Sequence, residues 1–511
     1  MELGTVVTTE DSPATGHFSF VASSPGVRKG RHVQLQSDEG LLLAVVQEIT
    51  RGNRYFERAE SVNEYEKHSA QNSFLESFPA KEWEYAVARC RILGAFKEGQ
   101  LKRSSYPPAP GTKVQDADDE LLTQFFGFKP DGLLLGKMFH HDVEVRPQVS
   151  RLLQKHLAVL AMSGAGKSYA MACLIEELLD RPKEKGRLAV AVFDVHGEYS
   201  CFADRRANPD YADKSLVVKG DKIRISAAHL TPQLISELVP EVSKAQLRDL
   251  SPILHSLKEK RRQSGEPFGL QEVVSAVESS DMNKNSKDAL MAWLGELRQM
   301  RIVGKHDQPS LKQALKPGRL AVFDFSMLVN QRQKQAIVSY LSRKMFRLRR
   351  REEIPPYLCI VEEAHNFAPE HTERGQAVSR AAIETVAREG RKFGASLCLV
   401  SQRPVHLSTT ALSQCNTQLI LRITNPYDLK HIQESCEAVD ADAAGAITML
   451  KTGEGILLGE AVSQPVFVGI RARKSRKSRT GEGLDDLARR FEEQQSIAEA
   501  VSDVEAGEAF L

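Results

Sequence analysis

The strongest constraint on the fold lies in residues 157–179. An apolar run, Leu157-Ala158-Val159-Leu160, leads into Ala161-Met162-Ser163-Gly164-Ala165-Gly166-Lys167-Ser168. Apolar-periodic residues then run from Tyr169 to Leu179. A strand, a glycine-containing loop and a helix joined this tightly turn loop amides inward at a helix N-terminus, where the dipole favours an anion. The Lys-Ser pair closing the loop makes it a P-loop. Lys167 is expected to reach the β- and γ-phosphates and the Ser168 hydroxyl to hold Mg²⁺. Ser163, Gly164, Ala165, Gly166 and Tyr169 complete the nucleotide-binding segment, and ATP with Mg²⁺ is the expected cofactor pair. Ala161 stands where the first glycine is usual, which a negative φ would tolerate.

Further apolar runs of strand type alternate with amphipathic helices after this point: Leu188–Phe193, Leu320–Phe325, Tyr357–Val361, Ser396–Ser401 and Thr417–Arg422. That alternation predicts an α/β core with a parallel sheet covered by helices on both faces. No strand pattern is visible between His229 and Lys316, where apolar positions recur at helical spacing around Trp293. Before residue 110 short strands such as His17–Val21, His32–Leu35 and Leu41–Ile49 alternate with turn residues, the pattern of a small antiparallel barrel. The expected organisation is therefore a barrel at 1–110 and a linker at 111–150. The ATPase core covers 151–228 and 317–470, a helical insertion 229–316, and a charged arm 471–511. Two strands, Gly455–Leu458 and Val466–Ile470, are expected to close the core.

Three further strand ends carry chemistry. Tyr357–Val361 runs into Glu362-Glu363, a Walker B arrangement. Glu362 would meet Mg²⁺ and Glu363 would polarise the attacking water. Ser396–Ser401 ends at Gln402, placed to meet the γ-phosphate or that water. Phe193 is followed by Asp194-Val195-His196-Gly197-Glu198-Tyr199, a polar cluster in which Asp194 and Glu198 are the chief candidates. His196 has no Cys or His at metal-ligand spacing. Just upstream of the Gln402 strand, Arg388 and Arg391 are candidates for an arginine that completes a neighbouring subunit's site, Arg391 before Arg388.

In order and wording these elements resemble the HerA branch of the HerA/FtsK superfamily of ring ATPases. The resemblance rests on His156, Gly166-Lys167-Ser168, Asp194 to Tyr199, Glu362-Glu363-Ala364-His365-Asn366-Phe367, Gly390-Arg391-Lys392 and Ser401-Gln402-Arg403-Pro404, and spans residues 130 to 470. It implies a RecA-like P-loop ATPase core in a homo-hexamer that hydrolyses ATP and moves double-stranded DNA. It further implies action with a NurA-type nuclease, in DNA end resection and break repair. An alternative is an ATPase ring that scaffolds and activates another effector enzyme in anti-phage defence. Lys155 stands where relatives often carry an arginine that acts across the subunit interface.

With 69 Lys+Arg against 67 Asp+Glu, bulk charge is silent about a nucleic-acid partner, and only local clusters can speak. Candidate grips on phosphates are Arg205 and Arg206, His371 and Arg374, the cluster Arg343–Arg351, and the basic run Arg471–Arg479. The seven cysteines form no C-x-x-C pair, as suits a reducing cytosol. No apolar run is long enough to span a bilayer and no secretory signal is visible, so a cytoplasmic protein with no membrane partner is expected, against a membrane-anchored DNA pump.

Overall fold

The computed structural model describes residues 1–69, 84–97, 100–239, 241–371, 377–436, 439–477, 484–493 and 495. The chain divides into two compact units, Met1–Val149 with Gly453–Arg471, and Ser150–Thr452 with Ala472 onward.

The first unit opens with a sheet of seven antiparallel strands among the described residues: β1 (Glu2–Val7), β2 (His17–Ala22), β3 (His32–Ser37), β4 (Gly40–Asn53), β5 (Glu84–Lys97), β6 (Gln100–Lys102) and β7 (Lys113–Asp116). Six of them close into a barrel in the order β2-β1-β7-β3-β4-β5, with β5 returning to β2 and β6 appended to β5. Alternate residues fill it: Phe18 and Phe20, Val33 and Leu35, Leu42, Ala44 and Val46, Ala88 and Cys90 are all buried. The segment 111–150 is more than a linker. It supplies β7, which pairs with β1 and β3, buries Val114, and is fixed by Arg31, whose Nε and Nη2 reach Asp116 at 2.8 and 2.5 Å. It continues through the helix Asp119–Phe126 to β8 (Gly136–Met138) and β9 (Glu144–Val145). Strands this short carry too few alternations to register in sequence.

The second unit is built on β10 (Leu157–Leu160), β11 (Ala189–Asp194), β12 (Ser215–Lys219), the two-residue pair β13 (Ile225–Ser226) and β14 (Val303–Gly304), β15 (Leu320–Asp324), β16 (Tyr357–Val361), β17 (Ala395–Ser401) and β18 (Thr417–Leu421). Its main sheet is parallel, in the order β12-β15-β11-β16-β17-β10-β18. Every residue of β10, β11, β15, β16, β17 and β18 is buried, which is why these strands read as unbroken apolar runs rather than alternating ones. Parallel pairing places all strand C-termini on one edge, where an open α/β sheet carries its ligand.

Between residues 229 and 316 the chain forms the helices Pro232–Leu238, Lys244–Ser264, Leu270–Glu278 and Lys284–Met300, with a short helical turn at Leu311–Ala314. Leu250 and Leu254, Val273 and Val277, and Leu290, Leu294 and Leu297 are buried at helical spacing. Strand β14 is a small departure from the all-helical expectation there.

β19 (Glu454–Gly459) and β20 (Val466–Ile470) pair antiparallel, β20 also pairs antiparallel with β8, and both belong to the first unit. Their apolar character reads equally well as a core strand or as an antiparallel hairpin, and the two are separable only by the partner strand.

Candidate nucleotide-hydrolysis site

The loop after β10 is tied to both neighbouring strand ends: the Ala161 amide donates to the Ser401 carbonyl (3.2 Å) and the Met162 amide to the Arg422 carbonyl (2.9 Å). Ala161 keeps a negative φ, so its methyl is no obstacle. Gly164 and Gly166 do need glycine, at φ of 78° and 100°. Ser163 and Gly164 are exposed, a Cβ on Gly164 would meet nothing within 4 Å, and Ala165 is buried beneath them. The helix Lys167–Asp180 starts at Gly166 without any side-chain cap, which leaves its first-turn amides for a ligand. Ser168 lies half-buried in that turn.

Lys167 is almost fully buried and its ammonium pairs with Glu363 Oε1. The same oxygen accepts from Gln402 Nε2 at 2.6 Å, so the P-loop, the end of β16 and the end of β17 converge on one carboxylate. Its other oxygen lies 3.4 Å from His365 Nδ1. Burial pushes the Glu363 pKa upward, but the Lys167 charge and hydrogen bond, with His365 and Gln402, hold it below the ordinary carboxylate range. Glu363 is thus ionised at neutral pH. Its backbone is left-handed (φ 47°, ψ 49°), a conformation that turns β16 sharply into the 3₁₀ segment Ala364–Asn366.

Glu362 faces a different environment. It is fully buried, with the Tyr199 hydroxyl 3.5 Å from Oε1 and no partner for Oε2 among the described residues. Burial, reinforced by Asp194, raises its pKa well above the usual value. Asp194, also fully buried, spends its oxygens on the loop that follows it: Oδ1 accepts from the amides of Gly197 (2.8 Å) and Glu198 (3.1 Å), and Oδ2 from Tyr199 (2.9 Å). Asp194 therefore shapes the loop that carries Glu198 and Tyr199 toward Glu362. Glu198 Oε2 is buried without a partner among the described residues, whereas His196 points to solvent. Among the described residues no group of His, Cys, Asp and Glu forms a protein-only metal cage.

The chain does not bring Arg388 and Arg391 to this site. Both are exposed and precede β17, whereas Gln402 follows it. The strand's length, about 20 Å at roughly 3.3 Å per residue, separates them. Lys155 lies on the same far edge, beside His156. That ring accepts from the Leu397 amide at Nδ1 (3.0 Å) and meets the Ala387 carbonyl through Nε2 (2.8 Å). Burial lowers its pKa to about 4, so it is a neutral fastener.

Most of the basic groups are engaged within the chain. Arg343 pairs with Glu237 and Lys344 with Asp307, Arg349 donates to the carbonyls of Phe393 and Ile354, and Arg350 stacks over Phe346 and Phe393. Arg205 pairs with Asp213, and Arg206 and His371 are exposed. The basic run docks on the P-loop helix: the Arg473 amide donates to the Tyr169 hydroxyl (2.8 Å), Lys477 lies over the Tyr169 ring, and the Lys474 and Ser475 amides donate to buried Glu176. Tyr169 thus serves the arm. Arg374, Arg479 and most of the acidic tail lie outside the described residues.

Sequence reasoning passed over three participants. Tyr199 and His365 were visible only as parts of motifs. Asp324, buried at the end of β15, binds Lys219 (2.5 Å), Ser200 Oγ (2.7 Å) and Ser326 beside Asp194, and these partners offset burial and bring its pKa to about 2. Its signal was a carboxylate closing an apolar strand, as in Asp194.

The model of the helicase HerA central domain matches residues 133–345. The DNA double-strand break repair helicase HerA of Pyrococcus furiosus is 30% identical over 455 residues, covering 78% of this chain and 80% of that protein. A probable helicase of Methanocaldococcus jannaschii is 28% identical, covering 86% of each. Among solved structures, VirB4 of Thermoanaerobacter pseudethanolicus shares the fold at a TM-score of 0.53 and 14% identity, covering 68% of this chain and 98% of that one. A P-loop, an acidic strand end and a glutamine strand end meeting on one edge, in a chain this similar to HerA proteins, place it in a family: the chain belongs to the HerA helicases.

Proposed function

We propose that this chain is an ATP-driven translocase or helicase of double-stranded DNA, working as a homo-hexamer in the cytoplasm. A NurA-type nuclease would be its partner, and DNA end resection in break repair its task. The observation that carries the reading is the convergence of Lys167, Glu363 and Gln402 at the C-terminal edge of the sheet. No helix among the described residues is long and apolar enough to cross a membrane.

The residues fit Mg²⁺ and ATP. First-turn amides without a cap, open space at Gly164 and a buried, unpartnered oxygen on Glu362 are the features a phosphate chain and its cation would satisfy. Ser168 and Glu362 would hold the cation, and the amides of Gly164–Ser168 the phosphates. When bound, the nucleotide supplies the transferable phosphoryl group and the cation neutralises charge on it. Lys167 would leave Glu363 for phosphate oxygens. Glu363, ionised and still hydrogen-bonded to Gln402, would orient a water and accept its proton. Arg391 would act in a neighbouring subunit, since it lies across the sheet from its own site.

The test is ATP turnover with and without linear duplex. Turnover should rise with duplex DNA, and the stimulation should fall steeply with salt as phosphate contacts are lost. A rate indifferent to duplex at every salt concentration sinks the reading.

A further inference from the structure

His365 lies beside the Glu363 carboxylate. It sits in the 3₁₀ segment that Glu363 opens, and its side chain is mostly shielded. Its Nδ1 faces two groups, Glu363 Oε2 at 3.4 Å and Ser401 Oγ at 3.1 Å. A carboxylate only accepts, so in the Nδ1–H tautomer this nitrogen shares its one proton between Glu363 Oε2 and Ser401 Oγ. Ser401 is fully buried, is the last residue of β17, and its Oγ also accepts from the Arg403 amide at 3.1 Å. The imidazole therefore bridges the catalytic-type carboxylate to the strand end that carries Gln402.

The two oxygens of Glu363 are tethered separately. Oε1 is held by Lys167 and by Gln402; Oε2 faces His365. In the reading above, Lys167 is withdrawn to the phosphates during turnover. Gln402 alone would then hold the carboxylate by one oxygen, free to rotate about that bond. Its backbone adds to the problem, because a left-handed conformation is strained for a non-glycine residue and persists only when its surroundings determine it.

We propose that His365 is a positioning residue that fixes the second oxygen of Glu363, using Ser401 as its anchor, so that the carboxylate keeps one orientation once Lys167 has turned to the nucleotide. This rests on Glu363 acting as the base. His365 touches neither nucleotide nor water in this role; it acts through Glu363 alone. Misplacing a reacting group by about 1 Å costs on the order of a hundredfold in rate.

The experiment is steady-state ATP turnover of the full chain with duplex DNA for His365→Ala, His365→Asn, His365→Gln and Glu363→Gln, with nucleotide affinity and melting temperature measured on each. Asparagine puts its amide nitrogen near the place of Nδ1, whereas glutamine reaches toward that of Nε2. His365→Ala should lower kcat by about tenfold to a hundredfold at unchanged KM and nucleotide affinity. His365→Asn should recover most of the rate and His365→Gln should not. An alanine variant with wild-type kcat overturns the proposal, as does an asparagine variant no faster than alanine at equal melting temperature, or a loss confined to KM. If Glu363→Gln itself turns over normally, the base assignment fails first, and the role of His365 with it.

Discussion

Removing the Glu176 carboxylate should loosen the arm on the P-loop helix. Glu176 is fully buried, and it accepts from the Lys474 amide (3.0 Å), the Ser475 amide (2.8 Å) and the Ser475 hydroxyl (2.6 Å). Hydrogen bonds to a charged group contribute about 1.5–3 kcal/mol each, so the gross loss in Glu176→Ala is about 4–9 kcal/mol. Two effects reduce it. The variant no longer desolvates a carboxylate, a saving of several kcal/mol. The freed amides can also swing into water with the arm, so no donor stays buried and unpaired. The variant keeps the Arg473 amide on the Tyr169 hydroxyl (2.8 Å), the Arg476 amide on Asn208 Oδ1 (2.6 Å) and the half-exposed Lys474 to Asp180 pair (2.8 Å), so the arm loosens rather than detaches. A net loosening of about 2–3 kcal/mol remains, which raises the open population roughly 30- to 150-fold at 1.4 kcal/mol per factor of ten. Trypsin reads this directly, because Arg473, Lys474, Arg476 and Lys477 all lie in the docked segment. Under conditions where opening is fast relative to cleavage, the native-state cutting rate there should rise by that factor. The melting temperature of the core should barely move. Cleavage within about twofold of wild type, at the same enzyme concentration, would refute the reasoning, since it would mean that the buried hydrogen bonds do not hold the arm.

Four other substitutions address the site and the insertion. Lys167→Ala should abolish turnover and weaken nucleotide affinity, while Glu363→Gln should abolish turnover and keep affinity; fluorescent-nucleotide titration separates them, and equal affinity loss in both would contradict distinct roles. Arg391→Ala should lose most ATP turnover, on the order of 10³-fold, with nucleotide binding intact, and a normal rate removes it as the residue acting between subunits. Asp307 is held below the usual carboxylate range because Lys344, His229, Tyr340 and the Ser226 amide outweigh its burial. Its depressed pKa contributes stability that is present above pH ~4 and lost as pH falls through the folded value. Asp307→Asn should therefore cost about 2–4 kcal/mol at pH 7 and progressively less in acid; urea melts giving a pH-independent difference would count against it.

The parts of the site that were legible in sequence are those fixed by local chain geometry. A buried strand followed by glycines and Lys-Ser can only place Lys167 at a helix N-terminus, and a polar residue closing an apolar run can only sit at a sheet edge. Glu362, Glu363 and Gln402 follow from that rule. What failed to register depends on partners distant in sequence. Asp194 read as a ligand candidate, yet its oxygens are taken by three amides of its own loop. The basic stretch Arg343–Arg351 read as a phosphate grip, yet half of its charges are spent on Glu237, Asp307 and carbonyls. Strand β7 went unread because strand type is local but strand partnership is not, and β7 is defined by its pairing with β1 and β3.

The separation of Arg391 from Lys167 across the depth of the sheet has a consequence for assembly. If the arginine serves a copy of this chain, each molecule offers its arginine on one face and needs a neighbour's on another. Two copies facing each other cannot both be satisfied, because a twofold pair presents identical faces. Contacts must run head to tail, and such a chain of contacts either closes on itself or grows without end. In an open chain of copies every molecule but the one at the end would have a complete site, and closure would complete that last one, so that no site in the ring stands idle.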